Sequence, residues 1–234
     1  MILTPIPRPQ LAAALDRFAA QLDDRDGHAA FVRIRMTSSE RATGDVAERH
    51  RRQALKLAEH FGMPVHPPGT RPGFNWDGAA LDVDTEAYVI LHEIAHFVLA
   101  PPQRRRLVDF GLGPGPDTRE RAAAESAAVI PLLGREADEA EASLLGILWE
   151  ASLGQPALAS FLDQNWLEGL ERSAALHFTQ VFARLQRRGL KRSGCCPISS
   201  GGTPRAAMML GRYGHPHAEQ SPSRLVGDPD QFLG

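Results

Sequence analysis

Two histidines and a glutamate, in the pattern HExxH at residues 92–96, are the residues of this chain whose spacing indicates a chemistry. Residues 85–100 contain no Gly or Pro and repeat apolar side chains every three or four positions, which predicts a helix with Asp84 as its N-cap. Residues four apart share a helix face, so His92 and His96 can hold one metal ion while Glu93 lies beside it. The pattern therefore predicts a metal site on this helix.

The alternative is that both histidines are ordinary core residues, because a bare HExxH pattern also arises by chance. The predicted helix is apolar enough to be buried. Two imidazoles and a carboxylate on a buried face would be unfavourable without a group that compensates them. A metal ion is such a group, and burial therefore favours the metal site.

Composition narrows the class of protein. The 234 residues carry a formal net charge of −2, which argues against generic nucleic-acid binding. The chain has no long apolar run, and its first residues lack the pattern of a signal peptide, so we expect a cytoplasmic protein without a membrane span. Cys195 and Cys196 are adjacent in a Gly/Ser-rich stretch, and we expect free thiols there.

The pattern of apolar residues predicts an α+β fold. Residues 29–36 alternate apolar and polar side chains, which predicts a half-buried strand, and residues 79–83 predict a second short strand before the HExxH helix. Amphipathic helices are predicted at 10–22 and 46–61. This order indicates a small sheet with surrounding helices around one metal cleft, and a zincin-like HExxH helix.

More helices are expected after the HExxH helix, followed by a change in composition. The helical patterns lie at 118–133, 138–153, 156–170 and 173–188. Residues 1–190 are therefore predicted to form a single metal-dependent catalytic domain. Residues 191–234 are rich in Gly, Ser and Pro, and their apolar residues repeat with neither the helical nor the strand period. We expect a disordered C-terminal tail there.

An acidic residue on a later helix would complete the metal site. A ligand must point inward, so apolar residues should follow it four, seven and eight positions later. Glu141 and Glu125 both meet this criterion, whereas Glu139 is followed by Ser143, Gly146 and Ile147 and fits less well. Periodicity alone leaves Glu125 and Glu141 as equal candidates.

Several segments between residues 92 and 169 resemble the bacterial elongation factor P hydroxylases, which are non-haem metal enzymes. The segments are the HExxH pattern, residues 105–111, residues 116–117, Glu141 eight positions before Trp149, and residues 165–169. Their order and spacing carry the resemblance, since HExxH by itself fits many peptidases.

The resemblance implies a fold and a reaction. The fold would be like that of a small metal-dependent endoribonuclease family, with a few strands and helices around one metal cleft. Glu141 would join His92 and His96 as the third metal ligand, with no further cofactor-binding residue. The reaction would be hydroxylation of a modified lysine of the translation factor elongation factor P, with Fe(II) as the metal.

Two other functions fit the same residues. In a zinc metallopeptidase or other hydrolase, Zn(II) would replace Fe(II) and Glu93 would act as the general base for the attacking water. The substitution Glu93→Gln separates the two enzyme classes, because only the hydrolase needs Glu93 as a base. A structural zinc protein is disfavoured, since three ligands leave an open position that structural sites close.

Overall fold

The structure is a computed structural model that describes residues 6–115, 118–168 and 173–189. Eight α-helices lie in these residues: α1 Arg8–Ala20, α2 Arg25–Arg35, α3 Gly44–His60, α4 Ala87–Leu99, α5 Arg121–Ser126, α6 Leu132–Ser152, α7 Ala157–Asp163 and α8 Ala174–Arg187. Two short 3₁₀ helices, Arg104–Arg106 and Val108–Gly111, follow α4.

The predicted α+β fold is wrong, because the described residues form helices and no strand. The strand predicted at 29–36 lies largely in α2, whose N-cap Asp24 accepts a hydrogen bond from the backbone N–H of Gly27. Gly27, Phe31 and Ile34 are buried together. Their spacing of three and four places them on one helix face, and the period-two alternation coexists with this helical spacing.

The second predicted strand, residues 79–83, does not form, and the segment makes only isolated bridges, from Leu81 to Val65 and Trp76. Leu81 N–H donates to the carbonyl of Pro64 at 2.9 Å, and His66 N–H donates to the carbonyl of Leu81 at 2.9 Å. Pro64, Pro67 and Pro68 lie in the segment that pairs with Leu81, and a proline has no N–H to donate. This segment therefore cannot extend the pairing into a sheet.

Helix boundaries differ from the prediction at two places near the site. Helix α4 begins after Glu86, and Asp84, the predicted N-cap, instead accepts a hydrogen bond from Gly69 N–H. The helix predicted at 118–133 ends at Ser126. There the chain turns, and Val129 N–H donates to the carbonyl of Gly111 at 2.9 Å.

Helix α4 packs between α3 and α6 and is buried over most of its length. It approaches α6 closely at Gly146, where an added Cβ would lie 3.4 Å from Cα of His92. The absence of a side chain at Gly146 lets the two backbones approach each other. This contact fixes the distance between the HExxH helix and the side chains of α6.

A cluster of aromatic rings from α1, α2, α7 and α8 forms the opposite part of the core: Phe18, Phe31, Phe161 and Phe178. No helix in the described ranges is long and apolar enough to cross a membrane. The predicted tail at 191–234, with Cys195 and Cys196, lies outside the described residues. The assignment of residues 1–190 to one domain stays a prediction.

Candidate metal centre

His92, His96 and Glu139 bring their ligand atoms together between α4 and α6. Nε2 of His92 lies 3.0 Å from Nε2 of His96, and Oε2 of Glu139 lies 3.4 Å from each of these nitrogens. All three ligand atoms lie within 4.8 Å of one another, the arrangement of a site that can hold one metal ion. Two imidazoles and one carboxylate suit either iron or zinc.

The three side chains differ in their exposure. The side chain of His96 is 5% exposed and that of His92 is 24% exposed, whereas that of Glu139 is 48% exposed. The two histidines are therefore held by the core, and Glu139 approaches them from the solvent side. A metal ion at this point would remain open to solvent and to a substrate on the Glu139 side.

Charge coupling in the cluster favours the ionised form of Glu139 and the protonated form of His92 in the metal-free protein. The packed surroundings of the Glu139 carboxylate oppose its ionisation even though the side chain as a whole is 48% exposed, but the charges of His96 and His92 and their hydrogen bonds outweigh this effect and hold the pKa of Glu139 well below its ordinary value. Burial likewise opposes protonation of His92, but Glu139 and Glu93 raise the pKa of His92. A bound metal ion would replace the proton of His92 as the compensating charge.

Glu93 is buried and lines the same cavity as the two histidines. The amide Nδ2 of Asn75 lies 3.4 Å from Oε1 of Glu93. Burial raises the pKa of Glu93, and its histidine neighbours only partly offset this effect. Glu93 therefore lies close to the cluster without being one of its three convergent ligands, as the HExxH pattern predicts.

The segment after α4 supplies another side of the site. Phe110 stacks on the ring of His96 with a centroid distance of 5.4 Å. Asp109 lines the cavity, and its Oδ2 accepts a hydrogen bond of 2.8 Å from the hydroxyl of Thr118. Burial raises the pKa of Asp109, while Thr118 and His96 act in the opposite direction. The sequence patterns did not indicate a role for Phe110 in the site.

The cluster opens into a cavity of about 470 Å³. Its far wall comes from the segment between α7 and α8, where Trp166 donates a hydrogen bond of 2.8 Å to the hydroxyl of Ser143 and stacks on His177. Acidic residues line the cavity at four positions: Glu93, Asp109, Glu139 and Glu168. No Lys or Arg is among the described residues that line it.

The structure does not bring Glu141 or Glu125 to the imidazoles. Glu141 is buried, as its apolar pattern predicts, but its carboxylate oxygens lie 2.8 Å from Nε of Arg184 and 2.8 Å from Nε of Arg188. The side chain of Glu125 is 63% exposed and faces Arg135. Both acids therefore have cationic partners elsewhere.

The acid that lies beside the imidazoles is Glu139, which the sequence criterion ranked below the others. That criterion required large apolar residues after the ligand. Ser143 and Gly146 follow Glu139 instead, and Ser143 lines the cavity while Gly146 lies against the HExxH helix at His92. Small residues at four and seven positions after the acid were the signal that marked this face.

Residues 85–131 match the family model of elongation factor P hydroxylase. This match confirms the resemblance seen in the sequence for the segment that contains α4, both 3₁₀ helices and α5. It ends before α6, so Glu139 and Glu141 lie outside it. No curated protein and no solved structure matches the chain.

Proposed function

We propose that this protein is a metal-dependent hydroxylase whose substrate is a modified lysine of elongation factor P. One observation carries the proposal: His92 and His96, inside the segment that matches the hydroxylase family, converge with Glu139 on one point at the edge of a cavity. The proposed ligands are these three residues, and Glu139 takes the place that the family resemblance implied for Glu141.

The donor atoms fit the proposed metal. Two imidazole nitrogens and one carboxylate oxygen are the ligands of non-haem iron sites, and such a set leaves coordination positions open. Fe(II), when bound, would supply the activation of dioxygen. In the overall reaction one oxygen atom enters a C–H bond, and the other leaves as water after it takes up two electrons from an external reductant and two protons from solvent.

The protein residues would position the reacting groups. His96 and His92 are fixed by the core, while Glu139 supplies a negative charge at the solvent side of the site. Glu93, buried beside His92, would accept a hydrogen bond from a ligand or a water and so orient it. The cavity wall would exclude bulk water from one side of the substrate.

The charge of the cavity supports a cationic substrate. Glu93, Asp109, Glu139 and Glu168 line it without a Lys or Arg among the described lining residues, so the cavity favours positive charge even though burial raises the pKa of Glu93 and of Asp109. A cavity of about 470 Å³ can hold a long aliphatic side chain. An aminoalkyl chain such as a modified lysine has this combination of length and positive charge.

The proposal is tested with protein purified without oxygen. Metal content is measured first, and the protein is then incubated with Fe(II), dioxygen, a reductant and modified elongation factor P. We expect one iron per chain and a gain of one oxygen atom on the modified lysine by mass spectrometry. Unmodified elongation factor P is the control substrate. Stoichiometric iron without any oxygen transfer would contradict the proposed reaction.

A zinc hydrolase is the second candidate, and the position of Glu93 favours it. Glu93 is buried in the same cavity as both imidazoles, where a general base for a metal-bound water would lie. Burial raises the pKa of Glu93, which brings it closer to the value of an effective base. Purification with zinc and cleavage of peptides would favour this function over the hydroxylase.

A further inference from the structure

We propose that a left-handed turn at Asp109, Phe110 and Gly111 positions the ring of His96 by stacking Phe110 against it. The inference rests on the proposed metal centre and goes beyond the metal ligands themselves. Phe110 would be a positioning residue, because it acts on the metal through His96. The backbone of the turn, the contacts that hold it and the ring stack each support this role.

The backbone of the turn is unusual. Asp109 has φ 44° and ψ 34°, Phe110 has φ 54° and ψ 22°, and Gly111 has φ 70°. These values lie in the left-handed region, where the backbone conformation of a residue with a Cβ costs about 1–2 kcal/mol. Asp109 and Phe110 are two such residues in succession. Such conformations persist where surrounding contacts determine them, and they concentrate at functional sites.

Backbone contacts hold the turn in place. Asp109 N–H donates to the carbonyl of Trp76 at 3.0 Å, and the guanidinium of Arg104 donates to the carbonyl of Phe110 at 3.0 Å. The carbonyl of Gly111 accepts a hydrogen bond of 2.9 Å from Val129 N–H. An added Cβ on Gly111 would lie 2.8 Å from side-chain atoms of both Leu107 and Val129, so this position is closed to larger residues.

The turn places the Phe110 ring against two other rings. It is stacked on Trp76, with centroids 5.5 Å apart and an interplanar angle of 3°. It is also stacked on His96, with centroids 5.4 Å apart and an interplanar angle of 23°. Trp76 is itself fixed, because its indole Nε1 donates to the carbonyl of Arg105 at 3.0 Å. The imidazole of His96 therefore rests on a rigid aromatic support.

This stack takes a role that a hydrogen bond usually has. A metal-bound imidazole is generally oriented by a hydrogen bond at its second ring nitrogen. In the described part of the chain, the polar contacts of the His96 ring are all made by Nε2, with His92 and Glu139. The ring of Phe110 would oppose rotation of the imidazole and keep Nε2 directed at the metal position.

The test compares two Phe→Leu substitutions, each of which removes one buried phenyl ring. Phe110→Leu removes the support of His96, whereas Phe31→Leu removes a fully buried ring in the aromatic core between α1, α2, α7 and α8. Phe110→Tyr keeps the stacking ring and serves as the conservative variant. Thermal denaturation of each variant shows the general loss of stability, which we expect for both Leu variants.

The first readout needs no metal. The ring current of Phe110 perturbs the chemical shifts of the His96 ring protons in the NMR spectrum of the metal-free protein, with assignment by His96→Asn. We expect Phe110→Leu to shift these signals, and Phe31→Leu and Phe110→Tyr to leave them in place. Unchanged signals in Phe110→Leu would overturn the proposed stack.

The second readout is the binding of Co(II), which is monitored through the visible d–d absorption of the bound ion. We expect Phe110→Leu to weaken Co(II) binding by about 10–100-fold and to alter the spectrum, as loss of an orienting neighbour does. Phe31→Leu and Phe110→Tyr should match the wild-type protein. Wild-type affinity and spectrum in Phe110→Leu would overturn the positioning role. Failure of the wild-type protein itself to bind Co(II) would contradict the metal centre, and with it this role, even if the NMR shift establishes the stack.

Discussion

Glu139 and Glu141 lie two residues apart on α6, yet their carboxylates meet opposite kinds of partner. Glu139 Oε2 lies 3.4 Å from both site imidazoles, while Glu141 lies 2.8 Å from the guanidinium nitrogens of Arg184 and Arg188 on and after α8. Two residues turn a helix by roughly 200°, so the two side chains leave α6 on opposite sides. One helix thus lines the proposed metal centre and also forms ion pairs with Arg184 of α8 and Arg188 after it.

This geometry separates the effects of two matched substitutions. Glu139→Gln should weaken metal binding by at least about 10-fold, because it removes a charged ligand. Glu141→Gln should retain metal affinity but lower the free energy of unfolding by on the order of 2 kcal/mol, since two guanidinium groups lose their charged partner. Isothermal titration with metal and chemical denaturation give the two quantities. Glu125→Gln is the exposed control and should change neither.

The opposite pattern would contradict the proposed ligand set. If Glu141→Gln abolished metal binding while Glu139→Gln left it intact, the carboxylate ligand would be Glu141, as the family resemblance implied. In that case the ion pairs from Glu141 to Arg184 and Arg188 would have to open when metal binds.

His92→Ala and His96→Ala should each abolish stoichiometric metal binding. The imidazoles provide two of the three convergent ligand atoms, and the remaining pair of ligands cannot hold the ion tightly. Elemental analysis of the purified variants measures the occupancy. His177→Ala is a useful comparison, because His177 lines the cavity but is not part of the three-residue cluster. Full occupancy in both ligand variants would place the metal elsewhere.

Glu93→Gln separates the two proposed enzyme classes. In a hydroxylase, Gln can still make a hydrogen bond at this buried position, and we expect a loss of activity of less than about 10-fold. In a hydrolase, removal of the general base should reduce kcat by about 10²–10⁴-fold. Rates measured at matched metal occupancy distinguish these outcomes. Loss of metal from the variant would instead identify Glu93 as a ligand.

The HExxH helix was predictable because its signal is local. Residues four apart meet on one helix face whatever the tertiary fold, so His92 and His96 could be paired from spacing alone. The partner on α6 depends on how two helices pack. Glu139 reaches the imidazoles because Gly146 allows α6 to approach His92 closely, and such contact is a tertiary property that the pattern of large apolar residues does not report.

The error in fold class has a similar cause. Residues 29–36 satisfy a period of two, and they also contain buried positions at helical spacing, including Phe31 and Ile34. A short segment can fit both periods, and the Asp24 cap with the packing of α2 against α6 and α7 selects the helix. The left-handed turn at Asp109 was likewise hidden, since only tertiary contacts hold a residue with a Cβ in that conformation.

Asp109→Asn should raise KM for the cationic substrate by roughly 10-fold and change kcat little. Asn tolerates the left-handed backbone and can still bond to the Thr118 hydroxyl, so the substitution removes the charge alone. Loss of one charge-assisted hydrogen bond to an ammonium group corresponds to this change in affinity. Steady-state kinetics at several substrate concentrations measure it. An unchanged KM would show that Asp109 does not contact the substrate amine.

A buried acid away from the metal centre gives a prediction about pH and stability. Glu150 is 2% exposed, and burial raises its pKa to about 7 even though Ser160 and Arg41 favour its ionised form. The guanidinium of Arg41 lies 3.6 Å from Glu150 but 2.8 Å from Asp163. The closer contact of Arg41 with Asp163 explains why Arg41 compensates the burial of Glu150 only in part.

The folded protein should therefore lose stability as pH rises from about 5 to 8. Below pH 4.5, the ordinary pKa of a glutamate, Glu150 is protonated in the folded and the unfolded protein. Between that pH and about 7, the raised pKa of Glu150 keeps it protonated in the folded protein alone. Since one pKa unit corresponds to about 1.4 kcal/mol, Glu150 should account for a loss of roughly 3 kcal/mol. Glu150→Gln should lack this loss, and the exposed Glu48→Gln should keep it. Urea denaturation across this pH range measures the free energy of unfolding of each variant. If this free energy changed with pH in parallel for the wild type and Glu150→Gln, Glu150 would be ionised in the folded protein throughout the range.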